Sequence, residues 1–165
     1  MSTKEHRETA PATVRCFVLT ISDTRTETND VSGDWITSLL AKAGHLVEGR
    51  ALVADDPVAV EKTIRENAGR AEVIITTGGT GISSRDSTYE AIAQLLEKRL
   101  DGFGELFRTL SYEEIGSAAM LTRACAGTLG RTAIFSLPGS EHAVRLGMTK
   151  LILPEIGHVV RELNR

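Results

Sequence analysis

The sequence predicts an α/β fold: a three-layer αβα sandwich around a mostly parallel sheet. Short apolar runs rich in β-branched residues alternate with segments of helical period of about ten residues or more, as βαβ crossovers require. The runs are continuously apolar, the pattern of strands covered on both faces. Two glycine-bearing loops, residues 78–86 and 138–140, directly follow such runs, at the strand ends where open sheets bind ligands.

A chain of 165 residues, 41% hydrophobic and 25% charged, has the size and composition of one domain. Nineteen Lys and Arg against 22 Asp and Glu leave a formal charge of -3 without a basic run, so nucleic acid is not an expected partner. Residues 1–14 are polar, of mixed charge and lack an apolar signal core, and are read as a disordered tail ahead of a domain over residues 15–165. No run approaches the roughly 20 apolar residues that span a bilayer. A cytoplasmic protein with no membrane partner is expected.

Residues 15–22 (RCFVLTIS) read as the first strand, followed by a polar loop over 23–30. Trp35, Leu39 and Leu40 then fall at helical spacing, with Gly44 as the stop. Residues 45–54 resume as a strand. Asp56 before Pro57 marks a helix start, with Val58, Ile64 and Ala68 on its inner face. Residues 71–77 (AEVIITT) form the most strand-like segment and lead into Gly78, Gly79, Thr80 and Gly81. Ser87 and Glu90 have capping-box spacing, opening a helix that carries Ala91, Ile92, Leu95 and Leu96 inward. Residues 102–120 read as shorter helices. Residues 122–129 and 132–137 read as strands around Gly130, and Ser140 as the N-cap of a helix over 141–153 before Pro154.

Cys16 and Cys125 each sit in an apolar strand-like run, the setting of inert buried thiols rather than of redox chemistry. His6, His45, His142 and His158 are scattered without ligand spacing, so no zinc site is expected. The stretch 78–86 is the most informative. Three glycines in four positions let a ligand approach the backbone, and a helix start beyond offers free N–H groups and a positive dipole end. It reads as a phosphate cradle or, alternatively, as a tight structural turn; GK[ST] and G-x-G-x-x-G are both absent. Asp86 is read either as a helix-dipole carboxylate or as a functional group. Asp55, unlike the N-cap Asp56, has no evident structural duty. Two carboxylates on separate strand-end loops beside a phosphate cradle have the chemistry to hold Mg²⁺. No Ser/His/Asp or Cys/His arrangement is visible, as suits phosphoryl or nucleotidyl transfer, where positioning and charge neutralisation dominate.

LTISD, the DVSG segment at residues 30–33, the acidic pair, TTGGTGISSRDSTYEA and SLPGS, in that order, resemble the MoaB/MogA family of molybdenum cofactor biosynthesis, whose eukaryotic relatives are the gephyrin and plant Cnx G domains. The resemblance runs from about residue 15 to the C-terminus. It implies a molybdopterin-binding-domain-like fold that assembles into a trimer, or a hexamer as a dimer of trimers. It further implies a molybdopterin adenylyltransferase that uses ATP and Mg²⁺ to place AMP on molybdopterin's terminal phosphate, releasing pyrophosphate. No tightly bound prosthetic group is implied; other cofactor-assembly proteins are possible partners.

Carried over by position, the family pattern makes Asp55 and Asp86 catalytic and metal-holding. Gly78, Gly79, Thr80 and Gly81 would cradle phosphates, with Pro138, Gly139 and Ser140 as the opposite wall. Ser22, Asp23, Asp30, Ser32 and Gly33 match further pocket positions. Arg85 is read as a phosphate partner or a plain surface arginine, and Ser140 as a ligand contact or an N-cap. Length and residues 102–123 match the MoaB branch better than MogA, which keeps a second reading open, a non-catalytic molybdopterin-binding or scaffold paralogue. A third, nucleotide pyrophosphatase, follows from the related domain of competence-damage proteins, which is expected in longer chains.

Overall fold

The computed structural model describes residues 2–165. Its elements are α1 (Thr3–Glu8), β1 (Arg15–Ile21), α2 (Val31–Lys42), β2 (Leu46–Val53), α3 (Pro57–Asn67), β3 (Val73–Thr77), α4 (Thr88–Leu95), β4 (Lys98–Arg99), α5 (Asp101–Ile115), β5 (Cys125–Leu129), β6 (Thr132–Leu137), α6 (Glu141–Gly147) and α7 (Leu153–Leu163). A 3-10 segment, Gly116–Leu121, follows α5, and a π-helical segment, Met148–Ile152, joins α6 to α7.

The strands form one sheet in the order β2-β1-β3-β6-β5-β4. β1 pairs in parallel with β2 and β3, and β3 with β6, whereas β5 runs antiparallel to β6 and β4. The period-2 alternation of strand side chains splits the core in two. Cys16, Val18, Val73, Ile75, Phe135 and Leu137 face a layer containing Ile36 and Leu40 of α2 and Phe107 of α5. Phe17, Leu19, Ile21, Ile74 and Ile134 face Val60 and Ile64 of α3 and Ile92 and Leu95 of α4. The predicted three-layer sandwich is therefore present. β1 sends its crossover to β2 on one side, and β2 returns past it to β3 on the other, so the strand order reverses at β1/β3, the position where such sheets build sites.

Several local expectations need correction. Residues 3–8, expected to be disordered, form α1; Ser2 and Glu5 close a reciprocal capping box, and the helix packs against α7. Val58 is exposed and Val60 takes its place in the core, because Asp56 starts the helix and sets its phase: its carboxylate accepts from Val58 N–H and Ala59 N–H. Ser87 makes no capping bond, its backbone (φ -132°, ψ 0°) lying outside the extended region usual for an N-cap, and Glu90 pairs with Arg123. The segment expected as shorter helices is one 15-residue helix closed at Gly116 by a positive φ. Strand β4, two residues long, carries no periodicity to read.

The two cysteines are buried, as expected. Burial pushes the Cys16 thiol up to about 12 and raises that of Cys125. Among the described residues no helix is long and apolar enough to cross a membrane.

Candidate functional site at the strand ends

Four parallel strands, β1, β2, β3 and β6, deliver their carboxyl ends to one edge, and the loops that follow are in contact. Gly78 and Gly79 adopt φ of 94° and 70°. Gly78 N–H donates to the Leu137 carbonyl at 3.0 Å, tying the loop to the end of β6. A Cβ on Gly78 would collide with the Ile21 carbonyl, and one on Gly79 would lie 2.9 Å from Thr88 Cγ2. Gly139 lies against the Gly78 backbone from the other side, where an added Cβ would stand 3.4 Å from Gly78 Cα. The loop is thus both a tight turn and a cradle between the ends of β1 and β6.

Gly78→Ala combines left-handed strain, about 1–2 kcal/mol, with a backbone shift at Ile21. We expect a loss of about 3 kcal/mol and a melting temperature lower by about 6–12 °C at this chain size. Gly44→Ala, with φ 86° but nothing within 4 Å of its Cβ, isolates the strain alone and should cost about 1 kcal/mol. Equal losses measured by thermal unfolding would refute the close approach.

Asp55 leaves β2 half-buried. Its N–H donates to Asp23 Oδ1 at 2.9 Å, and its Oδ1 accepts from Thr88 Oγ1 at 2.5 Å. Thr88 is the first residue of α4, two positions after Asp86, so one hydrogen bond links the loop after β2 to the end of the glycine loop. Asp86 Oδ2 accepts from Ser83 N–H at 2.7 Å, and hydrogen bonds from Ser83 hold its carboxyl below the usual carboxylate range. Gly81 packs on that carboxylate so closely that any Cβ would strike it. Arg85 is exposed.

Arg123, from the segment before β5, straps this loop. Its Nε donates to the Thr80 carbonyl at 3.2 Å, other guanidinium nitrogens reach the Gly81 carbonyl and Glu90, and the group stacks 4.3 Å from the Tyr89 ring centre. Nothing in the sequence marks Arg123, and Thr88, though inside the TTGGTGISSRDSTYEA motif, is not singled out by it; their partners lie across the fold.

The remaining predicted positions are engaged in hydrogen bonds within the fold. Ser22 Oγ accepts from Thr24 and Arg25 N–H and shapes its own loop. Asp30, 1% exposed, caps α2 through Gly33 N–H at 3.1 Å and accepts from Thr20 Oγ1 at 2.6 Å and Arg50 Nη2 at 2.8 Å. Burial pushes this carboxyl up, but the bonds from Thr20, Arg50 and Gly33 outweigh it and leave it below its ordinary value. Gly33 has no room for a Cβ beside Asp30, Arg50 and Thr20. Buried Ser32 donates to the Gly139 carbonyl at 2.8 Å, as does Arg25, another residue the sequence did not mark. Pro138 O accepts from Thr77 Oγ1 at 3.0 Å, and Ser140 Oγ caps α6 by accepting from Ala143 N–H at 3.2 Å.

Residues 17–158 match the family described as a probable molybdopterin binding domain. Over 168 aligned positions the chain is 52% identical to molybdenum cofactor biosynthesis protein B of Bacillus anthracis, covering all of this chain and 99% of that one. A crystal structure of a molybdenum cofactor biosynthesis protein B superposes with a TM-score of 0.91 at 52% identity, over 94% of this chain and 99% of the other. The tungsten cofactor synthesizing protein MoaB of Pyrococcus furiosus gives 0.84 at 42% identity, over 94% of this chain and 100% of the other. With strand-end loops built as described and similarity across the whole domain, the chain belongs to the MoaB/MogA family, in its MoaB branch.

Proposed function

We propose that this protein acts in molybdenum cofactor biosynthesis as a molybdopterin adenylyltransferase. The observation that carries the reading is the convergence of Asp55 and Asp86 on one glycine loop: Asp55 reaches Thr88 at the start of α4, while Asp86 lies against Gly81 just upstream. Strand-end carboxylates beside a backbone cradle and a helix start form a phosphate-handling arrangement. The family match supplies molybdopterin as the phosphorylated partner.

In this reading Gly78–Gly81 receive nucleotide or pterin phosphates, and Arg123 keeps the loop in shape by binding the carbonyls of Thr80 and Gly81. A terminal phosphate oxygen of the pterin attacks the α-phosphorus of ATP, the bond between the α-phosphorus and its bridging oxygen breaks, and pyrophosphate leaves. A phosphate monoester is largely dianionic at pH 7, its second pKa being about 6, so no protein base is needed. Asp55 and Asp86 would hold Mg²⁺. The fit is by donor chemistry: both are oxygen donors on the same loops, and Mg²⁺ completes its shell with water and substrate phosphates. When bound it supplies charge neutralisation on those phosphates. Asp23 positions Asp55 through the Asp55 N–H, while Ser22, Asp30, Ser32, Gly33, Pro138, Gly139 and Ser140 set the shape of the walls.

Pyrophosphate release from Mg·ATP by the purified protein, with and without molybdopterin, tests the proposal. Release only with the pterin is the expected result. Pterin binding without release would make this a binding member of the pathway, and hydrolysis of ATP without pterin would make it a pyrophosphatase.

We further propose that the chain works as a trimer or hexamer. Phe107 is buried and Leu110 packs on the subunit's own core, but Leu106, Tyr112, Ile115, Met120 and Leu121 are exposed on α5 and the 3-10 segment behind it. Exposed apolar side chains concentrated on one stretch of chain are candidates for a subunit contact. Light scattering should give three or six times 17.8 kDa. Met120→Glu should raise the subunit dissociation constant at least about tenfold, because an unpaired carboxylate in an apolar interface costs several kcal/mol. A monomeric wild type would refute the assembly.

A further inference from the structure

Helix α1 is held to the domain without an apolar face. It has six residues, none of them buried, and a helix of that length does not persist alone in water. Its attachment to α7 is made by Arg7 on Glu155 and by His6 Nδ1 on Glu162 Oε1 at 3.0 Å. The His6 and His158 rings meet edge to face with centroids 5.5 Å apart. The connecting segment is seated closely too: a Cβ on Gly157 would stand 2.7 Å from the Pro11 carbonyl. Residues 152 positions apart in sequence thus form a cluster that spacing along the chain could not show.

We propose that His6, His158 and Glu162 form a binding site for a zinc-class divalent cation that clips α1 to α7. One donor atom from each residue lies within 4.8 Å of the others. Tetrahedral zinc with bonds of about 2.0–2.1 Å sets its donors about 3.3 Å apart. The His6–Glu162 pair already has about that spacing, and the His158 donor has to close from within 4.8 Å. His158 Nδ1 bonds Glu155 Oε2 at 2.8 Å. This arrangement fixes the tautomer and leaves Nε2 as a donor to metal, the carboxylate–histidine–metal relay of protein zinc sites. Glu162 accepts from Arg161 on Oε1 at 2.6 Å and from Arg165 on Oε2 at 3.0 Å, so the cation takes Oε1 in competition with Arg161. Two imidazoles and one carboxylate are a donor set for zinc rather than for magnesium or calcium. With three protein ligands the fourth position falls to water. The site stands apart from Asp55 and Asp86 in the chain and in donor type, and its role is to anchor the N-terminal segment.

The test titrates Zn²⁺ into the full-length protein against a chromophoric competing chelator, and Co²⁺ in parallel for the visible bands of tetrahedral coordination. Trypsin cleavage after Arg7 is followed by mass spectrometry. We expect one zinc per chain, binding at least about tenfold weaker in His6→Ala and His158→Ala, and unchanged binding in His142→Ala, whose imidazole pairs with Glu114 elsewhere. Zinc at about a hundred times its dissociation constant should slow the cleavage on the order of 10–100-fold in the wild type only. Zinc binding indifferent to His6 and His158, equal loss in His142→Ala, or binding without protection of Arg7 would each overturn the clip. His6 lies outside the core, so its variant keeps the test decidable even if His158→Ala proves unstable.

Discussion

Asp55→Asn and Asp86→Asn should each lower pterin-dependent pyrophosphate release about 10²–10³-fold, the usual effect of removing one charged group that stabilises a transition state. Asparagine keeps an oxygen for the Thr88 hydroxyl at position 55 and for Ser83 N–H at position 86. The substitutions therefore remove charge while leaving the loop bonds in place, and melting temperatures should stay near wild type. Raising Mg²⁺ should recover part of the lost rate, because a weakened metal site is refilled by mass action. Full activity in either variant, with the protein folded, would remove that carboxylate from the mechanism. Loss of activity together with loss of fold would show a structural role, and Thr88→Val, which breaks only the Asp55 contact, would then separate orientation of Asp55 from its charge.

The parts of this site that were legible in the sequence are those in which a residue type has one dominant use. Glycines at 78 and 79 announce a backbone that other residues avoid, and both have positive φ. Asp56 before Pro57 announces a helix start and caps α3. Asp55 stood out only by lacking such a duty, and its bond to Thr88 could not be foreseen because the partner lies 33 residues away. The same limit hid Arg123 and the cluster on α1 and α7. The Ser87 cap failed because the residue's own backbone is not extended, and Glu90, the other half of the motif, pairs with Arg123 instead. Periodicity also misjudged Val58, because two apolar residues two positions apart at a helix start cannot both face the sheet, and Val60 was the better aligned.

Asp30 offers the sharpest test of which matched positions are scaffold and which are site. Its carboxylate is buried and satisfies four partners: Thr20, Gly33, Arg50 and, at 3.6 Å, Arg25. Asp30→Ala removes the acceptor of the buried Thr20 hydroxyl and the cap of α2, while Arg50, about a third exposed, keeps Asp34 and the residue-30 carbonyl. The loss should be about 1–3 kcal/mol, still a noticeable share of a domain's total. Asp30→Asn, which can still cap α2 and accept from Thr20, should lose less. The pH dependence follows from the lowered folded-state pKa. A depressed carboxyl stabilises the fold fully above its unfolded value of about 3.9, and that contribution disappears as pH falls through the lower folded value. The stability gap between wild type and Asp30→Asn, measured by urea unfolding, should therefore be constant from pH 7 to about 5 and narrow below about 4, as the wild-type carboxyl takes up its proton. A gap that does not change with pH would mean that Asp30 carries no charge-dependent stability. A variant of unaltered stability with weakened molybdopterin binding would return Asp30 to the pocket, where its sequence position first placed it.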